Sequence, residues 1–340
     1  MKREGVALFL VLSLITLSLA GTGLVGLAHA NFMPLNIPSH NIEITADGNV
    51  TGTNDIQRND ATYVFIADVS GGILVSCDNI TINGNGYSLF GNGESTGLFL
   101  QGRQNVTIKN LTIRDFERAI VYSYYRKMHI EALDYHSDSD CRNNALIANN
   151  ITNNQVGVYS YLSQNITIRG NTISNNGEIG ISIFDSGQIE IYGNTLMENN
   201  VAVRFTNCQH SSVFGNSFID NVNQTSVDPE SNSGLVFGWS TIEWVSEGLG
   251  NFWSDYDGVD ANQDGIGDKP YVIDDRNTDY FPVMTSLEAL SSLELPSEPE
   301  PFLAPEPFLA IITAFSLAIA IVGAGLLIHH RKKRRQVRAK

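Results

Sequence analysis

The chain has 340 residues, with 21 Lys+Arg against 36 Asp+Glu and a formal net charge of −15 at pH 7. Residues 31–307 hold 12 of the cations and 35 of the acids, a net charge near −23. That balance excludes nucleic acid as a partner, because binding phosphates requires a basic patch, and it fits a solvated exterior domain that meets cations.

Residues 1–30 read as a signal peptide. Lys2 and Arg3 give a basic start, Val6 to Leu27 is a long apolar run, and Ala28-His29-Ala30 has the small-x-small form of a cleavage site. An uncleaved anchor is the alternative reading of the same run. Residues 31–238 are assigned to a repeat domain with an N-terminal cap. From about residue 79, "NITINGN", "NVTIKNLTI", "ALIANNIT", "NITIRGNTI", "QIEIYGNTL" and "SSVFGNSFI" are variants of one phrase. Aligning their asparagines puts Asn85, Asn110, Asn149, Asn171, Asn194 and Asn216 in one column, at spacings of 25, 39, 22, 23 and 22 residues. The interval of 39 is an ordinary coil carrying an insertion at about 122–140. β-Branched residues alternate with polar ones between Asn and Gly corners, and no helical period is present. This predicts an all-β fold, a right-handed parallel β-helix of seven or eight coils, in which each coil buries its apolar face only against its neighbours.

Cys77, Cys141 and Cys208 each precede the asparagine column by eight residues. They therefore share one corner, two to three coils apart. At ~4.8 Å per coil their sulfur atoms lie beyond disulfide reach.

Residues 239–285 read as a C-terminal cap, with Trp239, Trp244, Trp253 and Tyr256 covering the exposed sheet edge. The stretch 286–307, which includes "ELPSEPEPFLAPEP", is a stiff Pro/Glu-rich stalk. Residues 308–328 carry no charge and are long enough for a transmembrane helix. The basic tail 329–340, "HHRKKRRQVRAK", assigns the C-terminus to the cytoplasm and the β-helix to the outside of a single-pass cell-membrane protein.

"GTNDIQRNDATYVF", "DNITINGNGYSLFGNG", "GRQNVTIKNLTIRDF" and the closing "GNFWSDYDGVDANQDGIGDKPYVIDDRNTDYFPVM" resemble the NosD-like right-handed β-helix proteins, above all membrane-anchored, surface-exposed archaeal members. The resemblance covers roughly residues 40–285. It implies a fold related to carbohydrate-binding and sugar-hydrolysing domains. The family takes its name from periplasmic proteins linked to copper delivery for nitrous oxide reductase, which does not fix this chain's task.

Three chemistries are open. Binding of carbohydrate or a surface polymer, or an envelope role, rests on polar rows and on Tyr122, Tyr124, Tyr125, Tyr159 and Tyr161, whose rings can stack on sugars. A polysaccharide lyase or hydrolase requires acids and bases on one coil face, and the best available set is Asp185, Glu190, Arg169 and Arg204. Their spacing within each coil does not bring them into one register. Copper requires clustered His, Met or Cys, and the insertion offers Met128, His129 and His136.

The stretch "DGVDANQDGIGDKP" (257–270) carries a further expectation. Asp260, Asn262, Asp264, the Ile266 carbonyl and Asp268 fall at positions 1, 3, 5, 7 and 9 of an EF-hand-type loop, with Gly265 as the pivot. Tyr271 stands where the bidentate Glu would be. The pattern predicts structural Ca²⁺, with a calcium-free Asx turn as the alternative. Sequons begin at Asn49, Asn79, Asn105, Asn110, Asn150, Asn165 and Asn223, which are candidate glycosylation sites.

Overall fold

The computed structural model describes residues 40–123, 140–228 and 240–286. The expected signal peptide, stalk, transmembrane segment and basic tail lie outside the described residues, and so does the insertion from Tyr124 onward. Among the described residues no helix is long and apolar enough to cross a membrane.

The described chain is a parallel β-solenoid of about seven turns, built from two nine-stranded sheets and one eight-stranded sheet. We name these sheets A, B and C. One coil shows the plan: Ser163–Arg169 lies in sheet B, Thr172–Ser174 in sheet C and Ile179–Phe184 in sheet A. Each strand pairs in parallel with its counterpart one coil on, as Ile168 pairs with Ile191 and Ile173 with Leu196. Alternation of β-branched and polar residues makes this possible, because one side of each strand faces in and the other faces solvent. Inward residues stack in columns. In sheet B the column is Ile82, Ile108, Leu146, Ile168, Ile191 and Val213, all fully buried.

The corner between sheets B and C is an asparagine ladder. Asn149, Asn171, Asn194 and Asn216 are in the expected column, and Asn251 extends it. Each side-chain oxygen accepts both the backbone N–H and the side-chain amide of the asparagine one coil earlier, for example Asn171 to Asn194 at 2.9 Å for each bond. The expected column was wrong in its first two members. Asn110 sits one position early, exposed and left-handed (φ 53°), where later coils have Ala148, Gly170, Gly193 and Gly215. Leu111 occupies the ladder position on that coil, its N–H donating to Asn149 at 3.1 Å. Asn85 is likewise an exposed left-handed residue. Asparagine tolerates both places, so matching by residue type shifted the register by one.

A second ladder at the corner between sheets C and A was missed: Asn154, Asn176, Asn199 and Asn221. Its signal was in the sequence, as a polar or acidic residue followed by Asn at Asn153-Asn154, Asn175-Asn176 and Asp220-Asn221. The third corner uses small residues. Cys141, Ser163, Ser186, Cys208 and Ser240 follow one another there, and backbone N–H groups of Ser163 and Cys208 donate to the hydroxyls of Ser186 and Ser240. The cysteines do share this corner and are free thiols.

The last coil is closed by aromatic stacking. Phe218 lies 4.3 Å from Trp253, and Trp253 lies 4.3 Å from Tyr271, centroid to centroid and near-parallel. Beneath them Asp279, fully buried, ends the asparagine ladder: its carboxylate accepts the Asn251 N–H at 2.7 Å and the Trp253 indole N–H at 3.0 Å.

Candidate functional site

The outer face of sheet A gathers the aromatic and charged side chains. On the strand Val156–Tyr161, Tyr159 and Tyr161 alternate with inward Val158 and Ser160 and point outward together. One coil on, Phe184 pairs with Tyr161 in register, and their rings are tilted at 5.4 Å. One coil back, the Arg118 guanidinium lies over the Tyr159 ring at 5.5 Å, a cation–π contact that fixes the ring's pose. Below, Val156, Ile179 and Val201 form a small apolar cluster with Tyr159, separate from the main core. That cluster seats Tyr159.

Charge flanks the rings. Asp185 follows Phe184 at the sheet corner, left-handed and 5% exposed, and accepts a hydrogen bond from the Asn207 amide. Arg204 points outward two coils beyond Tyr159 and pairs with Asp228 at 4.0 Å. Burial first, then the charge of Asp185 and the phenol of Tyr159, pushes the Tyr161 phenol up to about 12. Burial also raises Tyr159. Both phenols therefore stay protonated at neutral pH, as hydrogen-bond donors and stacking surfaces and not as bases.

The structure separates the four residues expected as an acid and base set. Asp185 and Arg204 are on the sheet A side, whereas Arg169 and Glu190 project from sheet B. Of the five expected tyrosines, Tyr159 and Tyr161 are on the face. Tyr122 is not: it is fully buried in an inward column with Leu100 and Ser160. Parity decides this, since Ile120 faces the core and Tyr122, two residues on, must follow it. Phe184 was the member that tyrosine-based reading missed. Tyr124, Tyr125, His129 and His136 lie outside the described residues.

Tyr122 yields a prediction. Its hydroxyl and that of Ser160 have no hydrogen-bond partner among the described residues. Tyr122→Phe removes a buried unpaired polar group, so it should raise Tm by roughly 2–4 °C, corresponding to ~1 kcal/mol in a domain of this size. A fall in Tm would reveal a partner for the hydroxyl.

In the Asp-rich loop, side chains at alternate positions turn onto the loop's own amides. Asp260 accepts from the N–H groups of Asp264 and Gly265, Asp264 accepts from Ile266, and Asp268 accepts from Ala261. Among the described residues no group of three or more His, Cys, Asp or Glu side chains is placed to hold a metal ion. His40 is stacked on Phe99, and burial lifts the Cys141 and Cys208 thiols to about 11 and about 12, away from the thiolate a metal needs. All seven sequon asparagines are exposed.

Comparison with known proteins places this geometry in context. A family model described as periplasmic copper-binding protein (NosD) matches residues 35–258. The probable ABC transporter binding protein NosD of Stutzerimonas stutzeri is 36% identical over 67 residues, 20% of this chain and 13% of that protein. The match thus spans about one eighth of that relative's length. Among solved structures, the A-module of the Azotobacter vinelandii mannuronan C-5 epimerase AlgE6 aligns with a TM-score of 0.40 and 14% identity, over 54% of this chain and 56% of that one. The enzymatically active domain of bacteriophage CBA120 tailspike protein 2 aligns with a TM-score of 0.35 and 15% identity, over 61% and 31%.

Proposed function

The chain belongs to the NosD family, and from that premise we propose that it binds carbohydrate or another surface polymer through the outer face of sheet A, as a component of the cell envelope. The observation that carries this reading is the platform of Tyr159, Tyr161 and Phe184, with Tyr159 seated on its own apolar cluster, flanked by Arg118, Asp185 and Arg204. Rings held in place offer a stacking surface at low entropic cost, and the flanking polar groups suit sugar hydroxyls. A glycan array probed with the purified chain tests it. Tyr161→Ala should weaken neutral-glycan hits at least tenfold, the effect of losing ~1.5 kcal/mol of aromatic contact. Unchanged binding by that variant would remove the face from the reading.

A polysaccharide lyase or hydrolase is the second reading, favoured by the buried carboxyl of Asp185 beside the Tyr161 phenol. Against it, both phenols are protonated and Arg204 is paired, so neither the tyrosines nor Arg204 stands ready as a base. Product analysis of any bound glycan separates the two: shortened or unsaturated sugars indicate the enzyme. Copper, the third reading, would fall to the insertion's Met128, His129 and His136.

Sequence supports the proposed location, with residues 308–328 as the single membrane span and the β-helix outside. Exposure of the seven sequons is compatible with glycosylation there. In this setting the loop from Asp260 to Asp268 takes Ca²⁺ in a structural role, expected in roughly the 0.1–1 mM range of extracellular modules. Calcium should then raise the Tm, and Asp264→Ala should abolish the increase. Identical melting with calcium and with chelator would make the stretch a turn and nothing more.

A further inference from the structure

Sheet B presents a different outer surface. One outward row, read coil by coil, is Asn83, Lys109, Ile147, Arg169, Tyr192 and Phe214. Thr81, Thr107 and Thr167 lie in the row beside it, followed by Glu190 and Ser212. Arg103, Arg114, Arg118, Arg142 and Arg204 each pair with an acid. Lys109 and Arg169 make no ion pair among the described residues, although residues 31–307 are near −23. Two cations in one row, neither in an ion pair although Glu190 stands diagonally beside Arg169, form a local positive strip. Tyr192 and Phe214 continue that row as a parallel, stacked pair, 5.2 Å apart with an interplanar angle of 4°.

Spacing gives the strip its meaning. Coils repeat every ~4.8 Å, the separation of paired strands. That is about the length one pyranose residue adds to an extended 1,4-linked chain. Lys109 and Arg169 are two coils apart, ~10 Å, so they match groups on every second sugar of a strand lying along the coil axis. An arginine fork suits a carboxylate, and threonine hydroxyls can both donate and accept. We propose that this row is a binding site for an acidic polysaccharide, with Lys109 and Arg169 on the carboxylates of alternate uronate residues and the Tyr192–Phe214 pair under the sugar rings. This site is independent of the sheet A face.

The test is a calorimetric titration of the purified full-length chain with hexameric oligogalacturonate and with neutral cellohexaose, at low and at physiological ionic strength. The acidic hexamer should bind in preference to the neutral one, and salt should weaken it. Lys109→Ala and Arg169→Ala should each lower its affinity about tenfold, as loss of a charge-assisted contact does. Arg169→Lys should fall between wild type and Arg169→Ala. Val222→Ser, an exposed change in neither proposed site, should leave oligogalacturonate binding unchanged. These outward substitutions should keep the wild-type Tm, so lost binding reports the site and not the fold. Equal affinity for the neutral hexamer, no binding at all, or full binding by the Lys109→Ala/Arg169→Ala double variant would overturn the proposal. Loss of binding in Tyr161→Ala alone would move the site to sheet A and overturn it equally.

Discussion

Asn194→Ala is expected to lower the Tm by about 10–15 °C, the largest single effect of any surface-to-corner substitution in this protein, corresponding to ~4–5 kcal/mol in a domain of this size. Asn194 is buried at the middle of the ladder. Its side-chain oxygen accepts two bonds from Asn171, and its amide donates to Ile168 at 2.8 Å, Tyr192 at 3.0 Å and Asn216 at 2.9 Å. Alanine removes the acceptor for the two Asn171 donors and the donor to the Ile168 and Tyr192 carbonyls, while Asn216 keeps only the Asn194 backbone N–H. Each orphaned buried group costs roughly 1–3 kcal/mol, and the cavity excludes easy rescue by solvent. Asn110→Ala is the control, because Asn110 is exposed and outside the ladder. It should stay within a few degrees of wild type, about the usual range for a surface change away from such features. Thermal unfolding of the three proteins side by side decides this. Equal losses for Asn194→Ala and Asn110→Ala would mean the ladder does not hold the coils.

Asp279→Ala should cost nearly as much, about 3–4 kcal/mol or roughly 10 °C. The carboxylate takes four donors: the Asn251 N–H, the Trp253 indole, the Phe281 N–H at 3.0 Å and the Asn251 amide, which also reaches Val213 and Trp244. Asp279 thus acts as the terminal acceptor for a ladder that runs through five asparagines, and without it the last coil, the Trp253 stack and the cap lose their common anchor. The charge adds a pH signature. Burial outweighs these bonds and raises the carboxyl above its ordinary value. A group raised on folding contributes stability that is fully present below its unfolded pKa and is lost as pH rises through its folded pKa. The Tm advantage of wild type over Asp279→Asn, which has no titrating group there, should therefore shrink as pH rises from the unfolded carboxyl range upward. An advantage that grows with pH would show that the four bonds outweigh desolvation.

Local chemistry made much of the architecture legible. Ile168 and Ile191 belong to phrases repeating at 22–23 residues, and a period with β-branched alternation leaves the parallel solenoid as the arrangement that buries every coil. The shared corner of Cys77, Cys141 and Cys208 followed from counting alone. The candidate site was less legible. Tyr159 and Tyr161 could be named as aromatics near one another, but Phe184 joins them only through the pairing of one strand with the next. Lys109 and Arg169 are 60 positions apart in the chain and look unrelated until two coils of stacking set them in one row.

What the sequence determined by itself, then, is whatever each coil repeats: strand length, apolar parity within a phrase, and corners that accept left-handed residues. These depend on neighbours a few positions away. Register between coils is decided only in the tertiary structure, because side chains alternate with a period of two and a shift of one residue exchanges inside for outside. That is why Asn110 left the ladder to Leu111, whereas the inward turn of Tyr122 follows from parity within its own strand. It is also why the ladder's end at Asn251 and Asp279 was not visible in the chain. Those residues are 35 and 28 positions from their partners, and nothing but the closing of the last coil brings them together.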